Sequence, residues 1–112
     1  MERKYEGMFL IRLRVREQDL AAGAEDVGPE VVAEEIKKTI VNNGGEILKD
    51  EVWSKRRRLA YEIDHETEAM YYHVVTKLDS SVVNKIRDLF RINDRILRFV
   101  FFVVDEKEEK EK

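Results

Sequence analysis

What most constrains this chain is the order of its hydrophobic periods. Apolar residues alternate at period two in four stretches and recur at helical spacing in two others, in the order strand, helix, strand, strand, helix, strand. A first strand is predicted over about residues 4–13. Tyr5, Gly7, Phe9, Ile11 and Leu13 form one side of it, and Lys4, Glu6, Met8, Leu10 and Arg12 the other. Residues 14–28 read as a loop with room for a short helical turn around Asp19–Ala22. Gly28-Pro29 then opens a helix, because proline in a first turn gives up an N–H that has no helical partner anyway. Its stripe is Val32, Ile36 and Ile40, with Val31 and Ala33 alongside, and Asn42-Asn43-Gly44-Gly45 stops it.

A long second strand follows, from about Glu46 to Asp64. Its alternation slips between Val52 and Leu59, which predicts a bulge or bend there. His65–Glu68 is a polar hairpin connection, and residues 69–78 alternate as a third strand. Asp79 or Ser80 caps a second helix, whose stripe is Val82, Ile86, Leu89 and Phe90, and residues 91–94 form its exit turn. The last strand, residues 95–104, sets Leu97, Phe99, Phe101 and Val103 against Ile96, Arg98, Val100 and Phe102. This order predicts an α+β, ferredoxin-like βαββαβ domain: a four-stranded antiparallel sheet with two helices on one face and the first and third strands in the middle. One such domain is expected over residues 1–104. Asp105–Lys112 has no apolar residue to bury and is expected to be a disordered charged tail.

If helices cover one face, the residues of the other define a surface. Lys4, Lys77 and Arg98 mark the parity of that open face, and Met8, Leu10, Tyr71, Val75, Val100 and Phe102 share it. A face apolar at its centre and ringed by cations suits a protein partner, with nucleic acid at its rim. The cations are clustered: Lys55, Arg56, Arg57 and Arg58 run into the strand pattern of Leu59, Tyr61 and Ile63. Arg91, Arg95 and Arg98 form a second group, and Arg3 and Lys4 a third. These nine are the candidate phosphate contacts, since arginine suits bidentate binding of phosphate. In a strand, only about two of four successive side chains serve one surface. The formal net charge of −3 conceals this pattern, because every charged residue between Glu17 and Glu35 is acidic.

Other classes of function find little support. No cysteine is present, so there is no disulfide framework or thiolate metal site, as suits an intracellular protein. The first residues enter the strand pattern without signal-peptide architecture, and no apolar run approaches a bilayer span, so a soluble, cytoplasmic protein is expected. His65 and His73 belong to no spaced ligand set, and Ser54, Ser80 and Ser81 lack a base in any motif. Neither a phosphate-binding glycine loop nor a dinucleotide fingerprint occurs. The reading is therefore non-enzymatic, with no catalytic residue, metal, cofactor, small-molecule substrate or membrane. The topology also builds the RNA-recognition motif. The third strand, Ala69-Met70-Tyr71-Tyr72-His73-Val74-Val75, lacks that motif's glycine and spaced aromatics, so base-specific stacking is not expected.

Four segments together resemble the bacterial small-subunit ribosomal protein S6 family. They are Lys4-Tyr5-Glu6, Asn43-Gly44-Gly45-Glu46-Ile47, Arg57-Arg58-Leu59-Ala60-Tyr61-Glu62-Ile63, and Phe90-Arg91-Ile92-Asn93-Asp94-Arg95-Ile96-Leu97-Arg98. The resemblance covers roughly Arg3 to Val104. It implies the ferredoxin-like fold and a structural role on the ribosome, binding the central domain of small-subunit ribosomal RNA as a heterodimer with ribosomal protein S18. Ser54 stands where the family has glycine after its tryptophan, one extra residue precedes the Leu-Ala-Tyr, and Glu62 replaces a common proline. The alternatives on this topology are a self-associating regulatory domain that binds a small metabolite and, more distantly, an acylphosphatase-like enzyme.

Overall fold

The computed structural model describes residues 1–104; the tail expected from Asp105 onward lies outside the described residues. The elements are β1 (Glu2–Ile11), α1 (Glu17–Ala21), α2 (Pro29–Asn42), β2 (Glu46–Ile63), β3 (Glu66–Asp79), a 3-10 turn (Ser80–Val82), α3 (Val83–Arg91) and β4 (Ile96–Val103). The four strands form one antiparallel sheet in the order β2-β3-β1-β4, so β1 and β3 are central as the sequence predicts. The short α1 is the helical turn anticipated in the 14–28 loop.

The core lies between one face of the sheet and helices α2 and α3. Tyr5, Phe9 and Ile11 of β1 pack with Met70, Tyr72, Val74 and Leu78 of β3 against Val32, Ile36 and Ile40 of α2 and Val83, Ile86 and Phe90 of α3. Aromatic rings knit its centre: Phe9 meets Phe90 edge-on at 4.9 Å, and Tyr5 stacks on Phe101 at 5.5 Å. Gly7 makes room for them, since a Cβ there would stand 2.9 Å from the rings of both Phe9 and Phe101. Gly44, at φ +87°, ends α2 in the left-handed conformation. Asp79 caps the next helical segment, its carboxylate accepting the Ser81 N–H at 2.9 Å.

Three expectations change. Leu89 is exposed rather than buried, because the short α3 turns only Val83, Ile86 and Phe90 inward. Ile96 joins the core rather than the open face. The β1–β4 register shifts between Leu10 and Ile11, a bulge that absorbs Leu97 and reverses the parity of the residue before it. The β2–β3 connection is a two-residue turn, Asp64-His65, not four residues, with φ of 48° and 66°. Positive φ at both central residues is what a tight hairpin requires, and Asp and His are among the few non-glycine types that tolerate it. The expected irregularity of β2 is present, with register shifts at Ile47/Lys49, Val52/Ser54, Ser54/Arg57 and Arg58/Ile63.

That hairpin tip is fastened to the far end of β1 by Arg12. The Arg12 side chain is only 3% exposed. Its Nε donates to the Asp94 carbonyl at 2.8 Å, Nη1 to the Glu66 carboxylate at 2.8 Å, and Nη2 to the Asp64 carboxylate. One guanidinium thus joins the β1 terminus, the β2–β3 turn and the α3–β4 loop. Removing it leaves the partly exposed Asp64 and Glu66 carboxylates and the Asp94 carbonyl without their shared donor, so Arg12→Met is expected to cost about 2 kcal/mol in chemical denaturation. Hydrogen exchange should show the loss concentrated at residues 59–66, and uniform loss across the sheet would contradict a local clamp.

A second prediction concerns Tyr72, whose hydroxyl donates to Asp50 at 3.1 Å. Burial, reinforced by the Asp50 charge, raises its pKa well above the ordinary tyrosine value of 10.0. With the folded pKa raised, its stabilisation is intact below about pH 10 and is lost as pH rises further, because the unfolded chain ionises first. Stability measured above pH 10 should fall less steeply in Tyr72→Phe than in the parent. Equal slopes would exclude Tyr72 as the source.

Candidate functional site

The open face of the sheet is built by simple alternation. Residues two apart on β1 and β3 share it, and the ladder aligns them in rows across the strands. Leu10 lies opposite Tyr71 on one side and Arg98 on the other. Met8 likewise lies between His73 and Val100, and Glu6 between Val75 and Phe102. All six apolar residues expected here, Met8, Leu10, Tyr71, Val75, Val100 and Phe102, therefore occupy one continuous face. Val100 at 55% and Trp53 at 53% exposure show how much apolar surface is left uncovered. At the β4 side the face dips into a cavity of about 460 Å³, lined by Met8, Leu10, Leu97 and Val100 together with Arg91 and Arg98.

The cations divide into two groups. Arg57 pairs with Ala69 and Arg58 with Glu68, which places the Lys55–Arg58 run at the same end of the sheet as Arg98. Beyond Arg58 the β2 ladder lapses until Ile63 meets Glu66, and Tyr61 stands in this unpaired segment. Arg98 sits 5.9 Å from the Tyr61 ring centre, while Arg57 sits 5.3 Å from that of Tyr71. Each ring's electron-rich face offsets some of the repulsion among clustered guanidinium groups. Lys55, Arg56, Arg57 and Arg58 are all exposed, with Arg56 ion-paired to Glu68 at 3.0 Å. Arg91, also exposed, is paired with Asp88 at 2.7 Å on its own helix. Arg3 and Lys4 are at the other end of β1, opposite Leu78 and Lys77. Seven residues of strand from Arg3 to Leu10 separate the groups by about 23 Å.

Arg95 serves the fold. Its Nη1 donates to the Val27 carbonyl at 2.7 Å and its Nη2 to the Arg12 carbonyl at 2.9 Å. It therefore ties the 14–28 loop to the end of β1, and desolvation holds its pKa below the usual arginine value. Expected among the phosphate contacts, it instead has its donors turned into the protein.

Sequence reading also passed over the centre of the open face. His73 is buried there. Its Nε2 lies 2.6 Å from Glu6 Oε1, and its ring stacks against Trp53 at 4.8 Å. Trp53 reaches this position because the register shift between Val52 and Ser54 leaves it as the extra residue of a bulge. The slip in alternation at Val52 was the available signal, but it does not say which side the extra residue takes. Among the described residues no group of three or more His, Cys, Asp or Glu side chains is placed to hold a metal ion. Nor is any described helix long and apolar enough to cross a membrane.

Two comparisons bear on this arrangement. The family model described as ribosomal protein S6 matches residues 4–103. Among solved structures, the 30S ribosomal protein S6 from Thermotoga maritima is similar at a TM-score of 0.77 and 29% identity, covering 99% of this chain and 95% of that one. The family model matches nearly the whole described chain and the fold match covers almost all of both chains, and the chain belongs to the ribosomal protein S6 family of the small ribosomal subunit.

Proposed function

We propose that this protein is a non-enzymatic constituent of the small ribosomal subunit that binds the central domain of small-subunit ribosomal RNA together with ribosomal protein S18. The observation that carries the reading is the adjacency of two surfaces. A continuous apolar sheet face runs into a cluster of exposed arginines, and the cavity shared by Leu10, Val100, Arg91 and Arg98 marks where they meet. An apolar face of this kind wants a protein partner, whereas clustered guanidinium groups want phosphate. A partner on the sheet and RNA along its arginine-bearing end would satisfy both without competing for the same atoms. Arg57, Arg58 and Arg98 are the principal phosphate contacts in this reading. Lys55, Arg56 and Arg91 lie beside them, and Arg3 and Lys4 form a second contact at the far end of β1. Met8, Leu10, Tyr71, Val75, Val100 and Phe102 face the partner. The cellular site of action is the cytoplasmic ribosome.

RNA affinity should fall with salt, because phosphate contacts release condensed counterions. Arg57→Ala with Arg58→Ala should lower the slope of log affinity against log salt by about 1.5, the share of two phosphate contacts. An unchanged slope would remove this stretch from the RNA interface. Mixing the protein with central-domain RNA in the presence and absence of S18 tests the joint reading. Much tighter binding with both proteins present is expected. A stable homodimer in light scattering, without RNA affinity, would favour a self-associating regulatory domain instead.

A further inference from the structure

The apolar sheet face has a carboxylate at its centre. Glu6 stands between Val75 and Phe102 across the sheet, with Met8 next to it along β1 on the same face, and its side chain is 34% exposed. Its hydrogen-bond partner is His73, at 2.6 Å. The His73 side chain is 8% exposed and covered by Trp53, and its Nδ1 is buried with no partner. Nε2 is the ring nitrogen that faces Glu6, and it donates to the carboxylate. One oxygen of the carboxylate is thereby engaged within the fold, while a third of the Glu6 side chain stays open to solvent.

Water can serve Glu6 while the face is open. A partner laid over Met8, Val75, Val100 and Phe102 would strip that water away and leave an ionised carboxylate under apolar cover. Nucleic acid is an unsuitable cover, since Glu6 and Glu51, which lies opposite His73, would meet its phosphates with like charge. Resting on the reading of this face as protein-facing, we propose that the partner seats a lysine or arginine side chain on Glu6, so that a single buried ion pair selects among apolar partners of similar shape. His73 then acts as a positioning residue that holds the carboxylate upright, and Trp53 closes the pair from the β2 side.

The proposal predicts the sign of an effect. If a partner cation meets Glu6, then Glu6→Gln leaves that cation buried and unpaired, and S18 should bind about 30-fold or more weakly, the usual loss when one member of a buried charge pair is removed. Glu6→Asp, which keeps the charge, should recover part of it. If no cation is there, Glu6→Gln removes a desolvation cost, and binding should stay the same or tighten, which overturns the proposal. Val100→Asp separates this from the parent reading. It should abolish S18 binding if the face is the docking surface, and unchanged binding would overturn both. A readout on the unaltered chain guards against misfolding of the variant. Lysine and arginine positions of S18 are changed singly to methionine and titrated against the wild-type protein. One of them should lose affinity by a similar factor; if none does, the proposal fails.

Discussion

The arginine-bearing end of the sheet depends on one buried cation. Arg12 follows directly on β1, and removing its guanidinium from water is costly unless nearly every donor finds an acceptor. The Asp94 carbonyl and the carboxylates of Asp64 and Glu66 supply them. These acceptors come from segments far apart in sequence, so satisfying Arg12 draws the β2–β3 turn and the α3–β4 loop onto the end of β1. The consequence reaches the surface. With the hairpin tip held down, Tyr61 of the unpaired segment after Arg58 meets the Arg98 side chain of the opposite edge strand. Arg95 repeats the device on the other side, fixing the 14–28 loop through the carbonyls of Val27 and Arg12. Two arginines that never face solvent fully thus set the positions of those that do.

The exposed cations are arranged so that their mutual repulsion is tolerable without being neutralised. Arg57 and Arg98 rest near tyrosine rings, and Arg56 is paired with Glu68. Exposed ion pairs and cation–π contacts of this kind contribute roughly 0.2–1 kcal/mol each, enough to bias a side chain and little enough to exchange for phosphate. A further run of acidic residues, with no base among them from Glu17 to Glu35, lies on α1, α2 and the loop between them. Lys37 there is paired with Glu34 and Asp50, which raise its pKa.

Element order, sheet topology, the core stripe of α2 and the six apolar residues of the open face were all legible in the sequence, because each rests on local periodicity repeated over several residues. What was not legible depends on single residues meeting across the fold. The alternation of β1 assigns Arg12 to the open face, yet one residue past the end of the paired strand it turns into a clamp whose acceptors lie 52 or more positions away. The reversal of Ile96 follows from a one-residue bulge at Leu97, which leaves no mark in a run apolar at nearly every position. The two-residue turn escaped notice because Asp64-His65 lacks the glycine or asparagine that usually announces one. Arg95 looked like its neighbours Arg91 and Arg98, since residue type records charge but not whether a carbonyl lies within reach. The family resemblance, in contrast, rests on contiguous segments and survived these local surprises.

The two edges of the sheet differ in what they offer to a further strand. A four-stranded sheet has two open edges, each a template for strand addition. The β2 edge is interrupted here. β2 shifts register four times along its ladder with β3 and carries Lys55–Arg58, while the β1–β4 ladder shifts where Leu97 bulges out. A bulged, charged edge cannot present an even row of N–H and C=O groups, so a second strand finds no continuous register to extend. The same bulges swing Trp53 onto the open face and place Leu97 at the cavity beside Val100. Each of these irregularities thereby adds apolar surface to the open face.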